Sequence, residues 1–544
     1  MRIATPFPLT PGASTPGRWG RAFSVLAALL LFLGNLLPSL AAQEEDKRAV
    51  LVQQVQDFRK LFPSFKERAM RIEAIRALEE VDCPEAVAAL REVLLDKDPE
   101  VVRAALEVMG GYSKEESLLP VMEAIPETRN KVVKARLVSI MDRSGFVQSL
   151  PVLVEVLEEE RDLSVRLRIA EALGGFGRKE GVPALLPLLQ DREEVLRIAA
   201  LDALAKIRDR ERSGPVVDLL KDKDWRVRAA AVNAVGKIRL EAAIGGLIDL
   251  LDGDRERLKL EVLEALWQIT DTDFHSDPEL ARQQWTRLKG LGFKMPSDAE
   301  MAKRKAKREK HEIRYLGLKQ KTTYHGIPTT SKRILFVVDI SGSMDDLVVD
   351  REKFKEGGYE SFQKLQIVKT ELIRTLKTLD RNTFFNIYAF ATKIKKWKKG
   401  NVRANGLMKR SAIKWVENLR PLGGTRSLPT AGNMGAGAQL AVGKTNTMGA
   451  LLAAFSLPVD KLTPDQKLEK MSKPRNDLDT IFFLTDGRAS TGIYLDRDEI
   501  LREVRRINRY RRIVIHAIAI GEFEKGFLKL LAHENQGMFV DLGR

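Results

Sequence analysis

The sequence predicts two architectures in series: an all-α helical solenoid, then a doubly wound, Rossmann-like α/β domain. Three observations carry this reading. A basic residue followed by small or aliphatic residues recurs every 29 to 34 residues between residues 71 and 259. From residue 332 onward, strand-length apolar runs alternate with amphipathic helical segments, the pattern of a mostly parallel sheet with helices on both faces. One of those runs, Ile334–Val338, ends in Asp339, and hydroxyls follow at Ser341 and Ser343. A chain of 544 residues is too long for one core. The expected parts are a leader over 1–42, repeats over 44–275, a basic helical linker over 276–331 and the α/β domain over 332–544.

The leader has an ordered composition. Arg18 and Arg21 precede the apolar stretch Ala22–Leu33, and Pro38 and the small residues Ser39, Ala41 and Ala42 follow. Charge, apolar run and small residues in that order form a secretory signal, with cleavage expected after Ala41 or Ala42. The alternative is an uncleaved anchor, since Ala22–Ala42 nearly reaches spanning length; Asn35 and Pro38 speak against it. Only the anchored form would touch the membrane. Either way the folded parts are expected outside the cytoplasm: periplasmic, in the cell envelope, or secreted.

The repeats run Arg71, Arg103, Lys134, Arg168, Arg197, Arg228 and Lys259, with intervals of 32, 31, 34, 29, 31 and 31 residues. Turns rich in aspartate precede the copies, as at Asp96-Lys97-Asp98-Pro99 and Asp222-Lys223-Asp224-Trp225, and these aspartates are expected to cap helix starts. A second helix follows in each copy, as in Val182–Leu189 and Ala243–Leu251. Such a helix pair buries its apolar face only by stacking on its neighbours. The pattern resembles the short bacterial form of HEAT repeats. The recurring Arg and Lys are read as paired or solvent-facing structural residues rather than as ligands.

Past the repeats, Pro278–Leu291 reads as a helix. Ala302–Lys321 then holds nine Lys or Arg against two Glu and supplies much of the net charge of +16. It is either a solvated helical linker or a contact for anionic polymer or lipid headgroups. Without interleaved aromatics it offers no stacking platform for nucleic acid, and none is expected as a partner.

In the α/β domain the expected strands are Ile334–Val338, Thr383–Phe390, Thr480–Leu484, Ile513–Ile520 and Met538–Val540. The helices are Leu365–Leu379, Ser411–Leu419, Met448–Phe455, Asp496–Asn508 and Phe527–His533. Asp339 therefore falls just past the C-terminal end of a buried strand, where open α/β sheets bind ligands. One carboxylate and two hydroxyls on a tight turn make a hard, all-oxygen site suited to Mg²⁺ rather than zinc or copper. The bland reading is a turn built by side-chain to backbone hydrogen bonds. The single cysteine, Cys83, excludes an internal disulfide framework and a cysteine-rich zinc site, and the five histidines lack paired spacing. There is no Gly-x-Ser-x-Gly elbow and no Walker-type phosphate loop, so a non-enzyme is expected.

The Asp339-x-Ser341-x-Ser343 pattern resembles the metal-ion-dependent adhesion site of von Willebrand factor type A domains. Thr445-Asn446-Thr447 ahead of a helix, and Thr485-Asp486-Gly487 after a second buried strand, match other parts of that pattern. The resemblance covers about Ser331 to Arg544. It implies that Ser341, Ser343 and a loop threonine coordinate Mg²⁺ (Mn²⁺ or Ca²⁺ are the alternatives), and that Asp339 and Asp486 bind directly or through water. It also implies an open position for an acidic residue of a partner protein, hence adhesion without catalysis. The family's threonine signature is split here by the Gly- and Ala-rich stretch 425–444, so Thr425 competes with Thr445; Thr445 is preferred because Asn446 and a helix follow it. Asp345, Asp346 and Asp350 are either a second cation site, a repulsive rim, or simply an exposed charged loop. Three other roles remain open: a chelatase-like subunit, a lyase-like accessory protein, and a cell-envelope scaffold binding polymer through Ala302–Lys321.

Overall fold

The computed structural model describes residues 48–253, 256–308, 322–329, 331–349, 351–355, 359–423, 443–458, 478–521 and 525–542. The expected leader, residues 309–321 of the basic segment, Asp350, and most of the 425–444 insertion, Thr425 included, lie outside the described residues. The chain divides into two compact units, one ending at Glu123 and the other beginning at Ala124.

In the first unit, helices Arg68–Arg76, Pro84–Val93 and Pro99–Gly111 follow one another. Pro84 and Pro99 stand in the first turn, where a missing amide hydrogen costs nothing. Asp98 caps its helix by accepting the Glu100 amide at 3.0 Å. Asp96, two residues earlier, accepts the Asp98 amide at 2.8 Å and receives Arg71 of the earlier helix, Nη1 to Oδ1 at 3.2 Å.

The second unit repeats this device. Asp224 caps helix Trp225–Ile238 through the Arg226 amide at 2.8 Å. Asp222 accepts the Asp224 amide at 2.8 Å and takes both Nε and Nη2 of Arg197, at 2.8 and 3.0 Å. Lys134 reaches Glu160 in the same way at 3.1 Å. Arg71, Lys134 and Arg197 are therefore ties: each leaves one repeat's helix and fastens the turn that starts the next. In helix Leu163–Phe176 that place belongs to Arg166, 2.7 Å from Asp191, while Arg168 pairs with Glu171 and Arg103 with Glu100 within their own helices. Of the second helices, Ile244–Leu250 forms as expected, but Val182–Leu189 breaks into Val182–Leu185 and a 3₁₀ turn at Pro187–Gln190. Pro187 has no amide hydrogen to continue the α-helical ladder.

The α/β domain contains a hairpin, β1 (Thr322–Tyr324) and β2 (Ile327–Thr329), and a seven-stranded sheet. Its strands are β3 (Arg333–Asp339), β4 (Phe384–Phe390), β5 (Ile394–Lys396), β6 (Val402–Arg403), β7 (Thr480–Thr485), β8 (Val514–Ala519) and β9 (Phe539–Asp541). The spatial order is β5-β4-β3-β7-β8-β9, with β6 also on β4. β3, β4, β7, β8 and β9 run parallel. Ile334, Phe336 and Val338 pack into one core with helices Lys364–Thr378 and Gly406–Glu417. Leu335 and Val337 pack into the other with helices Thr447–Ala454, Arg497–Asn508 and Lys525–Glu534. Burial on both faces explains why this strand reads as a continuous apolar run.

Three further features differ from the sequence reading. The hairpin falls in the stretch read as linker, yet Tyr324 and Ile327 are buried in the sheet's core, with Tyr324 edge-on to Phe336 at 5.1 Å. β5 and β6 were not legible because they are two or three residues long and carry lysine or arginine, as exposed edges often do. Helix Gly406–Glu417 begins five residues before the expected Ser411, because Asn405 caps it through the Met408 amide at 2.9 Å. Among the described residues, no helix is long and apolar enough to cross a membrane.

The Arg197 and Asp222 side chains are only 7 % and 9 % exposed. Removing one partner strands a buried charge, so Arg197→Ala is expected to lower stability by about 3 kcal/mol. Chemical denaturation measures this, and the Arg197→Ala, Asp222→Ala pair should lose less than the sum of the single losses.

Candidate metal centre

The sheet's topology assembles the site. β3 and β7 are adjacent and in register, Val338 beside Leu484, so Asp339 and the Thr485-Asp486-Gly487 turn emerge side by side at the strands' C-terminal edge. Asp339 is wholly buried. Its Oδ1 accepts the Ser341 amide at 2.7 Å, which shapes the turn, and its Oδ2 accepts the Thr485 hydroxyl. The carboxylate thus ties two strand ends together. Burial, and secondarily the charge of Asp486, push it up to about 7.

The turn then presents two hydroxyls, Ser341 Oγ and Ser343 Oγ, 3.3 Å apart. Ser343 donates to Asp486 Oδ1 at 2.7 Å. A Cβ built on Gly487 would lie 3.6 Å from Ser343 Oγ and 3.7 Å from Thr445 Oγ1, so both oxygens lie close to one point beside the Asp486 turn. Thr445 is held there by its backbone. Its amide donates to Ser490 Oγ at 2.8 Å, and its carbonyl accepts the Ser490 and Thr491 amides at 2.9 and 3.3 Å. Asn446 next to it caps helix Thr447–Ala454 through the Gly449 amide at 2.8 Å. The structure therefore brings Ser341, Ser343, Thr445, Asp339 and Asp486 to one edge. Both flanks of the split threonine signature also reach it: the Leu422 amide donates to the Ile340 carbonyl at 2.8 Å and the Gly342 amide to that of Gly443 at 3.0 Å.

Sequence reasoning missed Lys364. Its Nζ sits 2.7 Å from Asp486 Oδ2, with the two side chains 9 % and 0 % exposed. A signal was present: a lysine as the first residue of a helix opposes the helix dipole and needs an acid nearby. Asp345 departs from the charged-loop reading, which expected it exposed: it is buried and accepts a hydrogen bond from Gln363 Nε2, so it fastens the serine turn to the residue before Lys364. Asp346 is exposed as expected.

The donors suit a hard cation. They are three hydroxyls and two carboxylates, with no sulfur or imidazole in the set. No group of three or more His, Cys, Asp or Glu side chains fit to hold a metal occurs among the described residues, so any ion at this edge depends on the hydroxyls. A cleft of about 310 Å³ adjoins the site, lined by Gly487, Arg488, Thr447 and Phe527.

Comparison with known proteins agrees with this architecture. The family model for HEAT repeats matches residues 63–141, 150–217 and 213–267, and that for the von Willebrand factor type A domain matches 359–434 and 436–541. The chain is 26% identical over 208 residues to inter-alpha-trypsin inhibitor heavy chain H1 of Homo sapiens, an alignment covering 38% of this chain and 18% of that one. It is 25% identical over 214 residues to heavy chain H3 of Mesocricetus auratus, covering 39% and 19%. The chain thus spans less than a fifth of the length of these relatives. A solved von Willebrand factor type A structure from Catenulispora acidiphila aligns over 40% of each chain at 17% identity with a TM-score of 0.26, which adds nothing to the topology described above. The chain carries HEAT repeats within residues 63–267 and a von Willebrand factor type A domain over 359–541.

Proposed function

We propose that this chain is an exported, non-catalytic interaction protein that captures an acidic group of a partner protein at a Mg²⁺-dependent adhesion site. Von Willebrand factor type A domains mediate protein–protein interactions. The observation that carries the finer reading is the convergence of Ser343 Oγ and Thr445 Oγ1 on one point beside Asp486. Mg²⁺, with Mn²⁺ or Ca²⁺ as alternatives, would be held by Ser341, Ser343 and Thr445 together with Asp339 and Asp486. When bound, the ion supplies an electrophilic position for a partner's carboxylate.

The chain's own residues prepare that position. Asp339 fixes the turn through the Ser341 amide. Hydroxyls as ligands add no negative charge, and Lys364 offsets part of the charge of Asp486, so a bound cation keeps its appetite for a further anion. The repeats add an extended surface of the scaffold kind. Export is supported by the order of charge, apolar run and small residues over 1–42.

Titration calorimetry with MgCl₂ and MnCl₂ tests the metal reading. Ser343→Ala and Thr445→Ala are each expected to weaken binding at least tenfold, about 1.4 kcal/mol, with melting temperatures near wild type. Asp339→Ala should lose the metal and also destabilise the fold by roughly 1–3 kcal/mol, because it leaves the Thr485 hydroxyl and the Ser341 amide unpaired. Unchanged binding in all three variants would remove the metal from the account. Partner capture is then read by pull-down with Mg²⁺ against EDTA.

Lys364→Met separates metal affinity from stability. It is expected to tighten Mg²⁺ binding, because Asp486 loses its fixed counter-charge. It should also lower metal-free stability by about 3 kcal/mol, the usual result of stranding one member of a buried pair.

A further inference from the structure

A strongly charged cluster at the other end of the sheet takes no part in the metal reading. The sequence Arg509-Tyr510-Arg511-Arg512 forms the turn between helix Arg497–Asn508 and β8. β8 enters the sheet at Val514 opposite Thr480, the first residue of β7, so this turn lies at the N-terminal strand ends, away from Asp339 and Asp486.

The turn is built rigidly. Asn508 clasps Ile513 twice, accepting its amide at 2.9 Å and donating to its carbonyl at 2.6 Å. Arg512 adopts a left-handed φ of 55°. Arg511 is buried, with its guanidinium 5.9 Å from the Phe455 ring centroid in its own domain.

The other three side chains grip the repeats. Arg509 Nη1 lies 2.6 Å from Glu171 Oε1, the Tyr510 hydroxyl donates to the same oxygen, and Arg512 pairs with Asp202. Arg509 Nε is also 3.9 Å from Asp202. On the repeat side, Arg168 holds the other Glu171 oxygen at 2.8 Å, so that oxygen too is partnered.

The two acids are equivalent positions of successive repeats. Glu171 is eight residues past the start of helix Leu163–Phe176, and Asp202 eight past the start of helix Glu194–Ile207. Gly174 sets their spacing: a Cβ there would meet Ala203 Cα at 2.6 Å, so only glycine allows the two helices this close. One arginine therefore spans two rungs. Glu171 is buried in this contact, and its desolvation is outweighed by the charges of Arg168 and Arg509 and by the Tyr510 bond, which hold it below the usual carboxylate range.

We propose that this acidic ladder is a receptor for the chain's own α/β domain, with the Arg509–Arg512 turn as its built-in ligand. The repeats grip the domain by the end of the sheet remote from the metal edge. That leaves the edge open to an outside partner and fixes the direction in which it points. The contact is independent of any metal.

The test uses the full chain, with small-angle scattering and calorimetric unfolding of Arg509→Glu, Glu171→Arg and the two combined. Each single reversal should enlarge the radius of gyration and split the unfolding of repeats and α/β domain into separate transitions; the double reversal should restore both readings toward wild type. Tyr510→Phe keeps the ring and removes one bond, so it should shift the coupled transition downward without loss of folding. Wild-type radius and unfolding in the single reversals, or a double reversal no better than either single, would overturn the proposal. A normal Mg²⁺ titration in the released variants would leave the metal reading untouched.

Discussion

The candidate site depends on one buried carboxylate. Asp339 ends the central strand with no contact with solvent, and each of its oxygens fastens a different chain segment. One shapes the serine turn and the other holds the end of β7. Without that tie, Ser341 and Ser343 would be two hydroxyls on a loose loop, and Asp486 would sit on an independent strand end. Ile340 and Met344, within the same turn, are core residues, so the domain's core extends into the site.

Around this tie, charges are balanced within a small volume. Asp486 is shared between Ser343 and Lys364. Lys364 opens the helix that covers one face of the sheet, and Gln363 before it reaches Asp345 in the serine turn. The helix start, the turn and the second strand are therefore fixed by one connected set of polar contacts. Polar groups in such a set are costly to leave unpaired, which makes the edge a rigid platform rather than a flexible loop.

Much of this was legible in the sequence, and the reasons differ by element. The apolar runs at Ile334–Val338 and Ile481–Leu484 are buried on both faces, so length and composition suffice to find them. The repeats were recognisable because stacked helices demand a similar turn each time, although the base that ties helix Leu163–Phe176 to the next turn is Arg166 rather than Arg168. Lys364 opens a helix against its dipole, which signals a nearby acid, but that acid lies 122 residues away and no local pattern says which one it is. Asp345 was misread because burial of an acid depends on a neighbour, Gln363, brought in by a loop. Short charged edge strands and the hairpin at Tyr324 carry too few apolar residues to declare themselves. Glu171 and Asp202 share a repeat position, but what they bind comes from residues more than 300 positions later.

The most direct test of the central claim is anomalous diffraction from crystals grown with Mn²⁺. One strong peak is expected, bounded by Ser341, Ser343 and Thr445 oxygens and adjoining Asp339 and Asp486. Crystals with no manganese at that edge, and with the serine and threonine hydroxyls turned toward separate protein partners, would contradict it.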